Sequence, residues 1–204
     1  MPRLNTLLAA LVLTGALAML APVTADAQST AAKILEKARG QAREIEELRK
    51  ILNGPDQNMR LATFDAMVKS GDEALRLIAY ETGLASADSV MRVMAFKALL
   101  MSFDKLHLTL TPDPSAPKKL QEVSAAHIAE RGNGFIVYLQ GKNIEAGTYN
   151  GRGSGGQISG LEFVFTESHN ADAGSMSLRD DNALAGVVRL NHGRTQFLAT
   201  ARLR

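Results

Sequence analysis

The chain has 204 residues with 23 Lys and Arg against 21 Asp and Glu, a near-neutral balance that leaves no basic footprint for nucleic acid. It contains no cysteine, which excludes disulfides, thiol nucleophiles, cysteine metal sites and a lipid-modified N-terminal cysteine. Stability must therefore come from apolar burial, for which 46% hydrophobic residues provide the material.

The N-terminus has the layout of a secretory signal peptide. Arg3 is followed by an apolar run from Leu7 to Leu20, then Pro22 and Ala25-Asp26-Ala27, with small residues where a signal peptidase requires them. The run is shorter than the roughly 20 residues that a membrane-spanning helix needs. Residues 1–27 are therefore expected to be cut off after Ala27, placing the protein in the periplasm or the medium. Removal of Arg3 and Asp26 leaves 22 basic and 20 acidic side chains. No later segment is apolar enough to span a bilayer.

Residues 31–52 place Ile34, Ala38, Gln41, Ile45, Leu48 and Leu52 at alternating spacings of four and three, a heptad seam. The seam could pair with a second copy, giving a homodimer through 31–52. Ala38 and Gln41 weaken it, so packing onto the following helices is the favoured expectation.

A repeat follows. Asp56-x-x-Met59-Arg60, Asp72-x-x-Leu75-Arg76 and Asp88-x-x-Met91-Arg92 recur every 16 residues. Ser70 and Ser86 are candidate helix caps, Ser70-x-x-Glu73 has capping-box form, and Pro55 suits a first helical position. Each aspartate is expected in a first helical turn, where the helix dipole favours an anion. Its arginine falls one turn later on the same face. Three helices of roughly 12 to 16 residues follow from this spacing. Asp88-x-x-Met91-Arg92-x-x-Ala95-x-x-Ala98-Leu99 resembles the helix signature of HEAT-repeat solenoids over residues 53–103. That resemblance implies aspartate–arginine bonds between neighbouring repeats and a stacked surface for protein partners.

Composition changes near residue 111. Pro112, Pro114 and Pro117 interrupt regular structure, and 12 of the 17 glycines lie after Arg131. Lys105 to Leu110 alternates as a strand, and Leu120 to Arg131 reads as a helix. Six β-like runs follow, at 135–140, 145–149, 158–166, 175–179, 184–190 and 196–203. Asp181-Asn182 and Asn191-His192-Gly193 supply hairpin-turn chemistry. The expected fold is α+β: a short helical array of HEAT-like hairpins (28–104), a strand and proline-rich linker (105–119), and a helix with a small antiparallel meander (120–204).

No assembled chemistry emerges. Gly151-Arg152-Gly153-Ser154-Gly155-Gly156 matches the dinucleotide fingerprint in letters, but a strand pattern follows where a helix must start. The run is expected to be a flexible loop. Arg152 occupies a glycine position of a serine nucleophile elbow. His169 and Asp172 form the nearest imidazole–carboxylate pair and read as a solvated turn. Asp180-Asp181-Asn182 lacks the glutamate of a calcium loop. No catalytic residue, cofactor or metal ligand is assigned. The leading expectation is an exported, non-enzymatic protein that binds another envelope or secreted protein through its helices. The alternative is a small-molecule or glycan-binding, or hydrolytic, β module with Tyr138, Tyr149, Arg152 and Glu162 lining a pocket.

Overall fold

The computed structural model describes residues 24–151 and 153–203. Residues 1–23, which hold most of the expected leader, lie outside the described residues, as does Arg152. The described residues divide into two units, 24–46 and 47–203. The first carries most of helix α1 (Thr24–Leu52), whose residues 30–44 are all exposed. Of the expected seam, Leu52 is buried and Leu48 packs against the core of the second unit, whereas Ile34, Ala38 and Gln41 remain exposed.

The second unit begins with α2 (Gln57–Lys69), α3 (Glu73–Leu84) and α4 (Ser89–Ser102). Their apolar faces, built from Phe64, Met67, Ala79, Leu84, Met91, Ala95, Phe96 and Leu100, share one core with the strands that follow. Helix spacing brings these residues to one side of each rod, as an apolar stripe must be to reach a core. A nine-stranded antiparallel sheet comes next, curled into a half-barrel in the order β2-β1-β9-β8-β7-β6-β5-β4-β3. Its strands are β1 (Lys105–Pro112), β2 (Gly134–Tyr138), β3 (Lys142–Asn143), β4 (Thr148–Gly151), β5 (Ser154–Ser159), β6 (Glu162–Glu167), β7 (Asp172–Leu178), β8 (Ala183–Leu190) and β9 (Thr195–Arg202). The class is α+β, as expected.

Period-two alternation gives most of the strands one buried face. Leu106, Leu108 and Leu110 point inward from β1, Phe163 and Phe165 from β6, and Phe197, Ala199 and Ala201 from β9. The strands at the two ends of the order, β2 and β3, are separated in the chain only by residues 139–141. Leu139 N–H donates to Asp104 at 3.0 Å, and Asn150 N–H donates to Gly141 at 3.2 Å. One short stretch of backbone thus holds both ends of the curl.

Three expectations are corrected. The run 158–166 is two strands, because Gly160 at φ +59° makes a tight turn between β5 and β6 that a side chain would oppose. The strand expected from Glu145 starts at Thr148, since the preceding residues form a turn. Ser154 to Gly156, expected in a flexible loop, belong to β5. A Cβ at Gly156 would lie 2.6 Å from Cε1 of Tyr149 and would meet the Val164 carbonyl. Glycine stands here so that an aromatic ring can cross the strand.

The proline stretch is firmly tied. Buried Asp113 accepts hydrogen bonds from the Ser115 N–H at 2.9 Å, its hydroxyl at 2.7 Å, and Gln196 Nε2 at 2.6 Å. The Ser115 hydroxyl, then Gln196, hold this carboxyl below the usual aspartate range. Helix α5 (Lys118–Arg131) follows and packs on β1 and β9, where the hydroxyl of buried Ser124 accepts the Gln196 N–H at 3.0 Å.

Candidate functional site

The repeat residues explain how the helices are built. Asp56, Asp72 and Asp88 are the N-caps of α2, α3 and α4. Asp88 accepts from the N–H groups of Val90 at 2.9 Å and Met91 at 3.3 Å, satisfying donors that a helix start leaves open. The expected serine caps are corrected. Ser70 and Ser86 instead accept the N–H groups of Asp72 and Asp88, both at 3.1 Å, and so steady the residues that do the capping. Pro55 precedes the cap, outside the helix.

The arginines bind elsewhere than their own aspartates. Arg60 reaches the carbonyls of Gly54 and Pro55 and pairs with Asp88, its Nη2 2.5 Å from Oδ2, joining the starts of α2 and α4. The Arg60 guanidinium, foremost, holds the Asp88 carboxyl below its usual range. Arg92 reaches the β7–β8 turn through the Arg179 carbonyl at 3.3 Å and Asp180 at 3.1 Å, while its buried Nε has no partner among the described residues. Arg76 has no such anchor among the described residues and lines a groove instead.

The residues expected to form a β pocket do not share a face. Tyr138 is exposed on the outer face of β2, with Lys105 Nζ 5.6 Å from its ring centroid. Glu162 is exposed on β6 and accepts from the Ser175 hydroxyl at 3.3 Å. Tyr149 points inward from β4, its ring stacked on Phe163 at 6.1 Å. Among the described residues its hydroxyl makes no well-formed hydrogen bond, although Ser154 lies close by, and burial pushes it up to about 12.

Sequence reasoning passed over a carboxyl pair beside it. Glu167 and Asp172 are register partners on the inward face of β6 and β7, and Ser154 is the partner of Glu167 on β5. Asp172 is buried and accepts the Asn191 N–H at 2.7 Å, a structural bond rather than a solvated turn. Burial first, then the charge of Asp172, raises the Glu167 carboxyl above its usual range. A raised acid favours the folded state while protonated, and that contribution is lost as pH rises through its folded value. Glu167→Gln is therefore expected to raise the thermal midpoint at neutral pH, with the gain shrinking below the ordinary glutamate range. Thermal melts across acid to neutral pH check this. Among the described residues, no group of three or more His, Asp or Glu side chains is placed to hold a metal ion.

Two concavities stand out among the described residues. One, of about 920 Å³, lies over β4–β7 and is lined by Tyr149, Ser154, Glu167 and Asp172 among others. The second, of about 730 Å³, is a groove between α3 and α4 and the β3–β4 connection. Its walls are Val68, Tyr80, Leu84, Leu99, Met101 and Phe103, and Glu73, Arg76 and Glu81 also line it. Its lips are Leu77 and Ile144, 53% and 58% exposed. Lys97 of α4 donates to the Glu145 carbonyl at 3.0 Å, which positions Ile144 beside the groove. Among the described residues, no helix is long and apolar enough to cross a membrane. Compared with known proteins, the chain matches no protein family, curated protein or solved structure.

Proposed function

We propose that this is an exported, non-enzymatic binding protein of the cell envelope that takes an apolar segment of a partner protein into the α3–α4 groove. The observation that carries the reading is the pair of exposed lips, Leu77 and Ile144, standing over an apolar trough. Exposed apolar side chains flanking a concave apolar surface are what a docked amphipathic segment covers. The helical repeat supports the reading in a second way. Arg60 and Arg92 are anchored within the protein, whereas Arg76 faces the groove, where a partner's polar group can meet it.

The test is retention of envelope proteins by immobilised mature chain, compared with Leu77→Asp/Ile144→Asp. Both positions are exposed, so the variant should fold as the parent does. Burying one such side chain stabilises by about 1.5–3 kcal/mol, so each substitution should weaken retention of a specific partner by about tenfold or more. Recovery of no protein, alongside specific retention of a sugar or lipid, would overturn the proposal.

A second reading, small-molecule or glycan binding by the sheet, is favoured by the larger concavity, whose lining includes Tyr149, Ser154, Glu167 and Asp172. Thermal-shift screening of the mature chain against a glycan panel separates the two readings.

A further inference from the structure

Helix α1 carries an apolar face that stays exposed among the described residues. Residues 30–44 are exposed around the whole circumference, and Ile34 and Leu35 are 63% and 55% exposed. Their helical spacing to Ala38, Ala42 and Ile45 places all five on one side. Gly40 sits mid-helix with nothing near its missing Cβ, and a glycine there costs about 1 kcal/mol relative to alanine. Helices in water draw most of their stability from packing an apolar face.

The charges beside the face are self-complementary and fit a second copy of this helix. On one flank Lys37 precedes Glu44 by seven residues, and on the other Arg39 precedes Glu46 by seven. In a parallel, in-register pair of α1 helices opposite flanks face each other, so Lys37 would lie near Arg39 and Glu44 near Glu46. In an antiparallel pair each flank faces its own copy in reverse. Lys37 then meets Glu44, and Arg39 meets Glu46, twice each by symmetry. The antiparallel arrangement sets base against acid on both flanks.

From this geometry we infer that α1 pairs with α1 of a second copy, antiparallel and crossing near Gln41. Ala38 and Ala42 flank the crossing and allow close approach, with Ile45 of one copy over Ala38 of the other. This contact goes beyond the groove reading and does not depend on it.

Sedimentation analysis of the mature chain from Gln28 over a concentration series tests the pairing. A monomer–dimer equilibrium is expected, with Ile34→Asp/Leu35→Asp raising the dimer dissociation constant by about tenfold or more. Lys37→Glu/Arg39→Glu alone and Glu44→Lys/Glu46→Lys alone should each be monomeric, and mixing the two should restore a dimer. A wild-type chain that stays monomeric, or a dimer that survives the Ile34/Leu35 change, overturns the inference. Failure of the two charge variants to associate on mixing overturns the antiparallel arrangement.

Discussion

Phe163→Ala is expected to lower the unfolding free energy by about 3–5 kcal/mol, the range for truncating a fully buried phenylalanine. Phe163 is 0% exposed and stands between two rings on the inward face of the half-barrel, Tyr149 at 6.1 Å and Phe165 at 5.8 Å. Removing it deletes the transfer energy of the ring and leaves a cavity that its neighbours cannot close. Both are held by strand backbone, and Tyr149 is further confined where it crosses Gly156. Urea unfolding, followed by far-ultraviolet circular dichroism, measures the effect. For a domain of this size a loss in that range lowers the thermal midpoint by about 10 °C. A loss below about 1 kcal/mol would mean that these rings do not form one packed interior.

Gly83→Leu probes the helical side. A Cβ at Gly83 would lie 2.6 Å from the Cβ of Ala95 and 3.0 Å from Cε2 of Phe64, so α3 and α4 approach closely here because the glycine has no side chain. Leucine would force the two helices apart. Overpacking of this kind costs about 1–3 kcal/mol, and a displaced helix backbone puts it at the upper end. The same shift moves Leu84 and Leu99, which wall the groove. The variant should therefore lose partner retention together with stability. Leu77→Asp/Ile144→Asp, by contrast, should lose retention alone. Urea unfolding and retention assays on the two variants make the comparison. Full retention by Gly83→Leu would separate the groove from the binding reaction.

Much of the local architecture was legible in the chain. The 16-residue recurrence of aspartate marks three helix starts, because a short carboxylate can accept the open N–H groups of a first turn. Lys105 to Leu110 alternates so strictly that its strand is readable without context. The finer assignment was not legible. Ser70 and Asp72, like Ser86 and Asp88, are both capable caps two residues apart. Which one caps depends on where the backbone leaves its extended conformation, and at Asp72 that is φ −82°, ψ 118°.

The candidate pocket residues were less legible still. Tyrosines at 138 and 149 fall eleven residues apart, on either side of two turns, and nothing in that spacing says which face each will take. A register slip of one residue reverses a side chain. Strand β1 is the same problem at larger scale. Its pairing with β9 sets Leu110 opposite Ala199, and no local pattern announces a partner so far along the chain. Gly151 to Gly156 has the composition of a loop, and only the ring of Tyr149 lying over Gly156 explains why part of it is a strand.

The sequence by itself determined roughly where three helices begin, the alternation of the strands and the reliance on apolar burial in a chain without cysteine. Each of these follows from hydrogen bonds or periodicities that act within a few residues. Tertiary structure alone decided that Arg60 meets Asp88, that Arg92 meets Asp180, and that Leu77 and Ile144 stand over one groove. Those partners lie 28, 88 and 67 residues apart. Contacts over such separations form only when packing of the whole unit offsets the chain entropy of bringing them together.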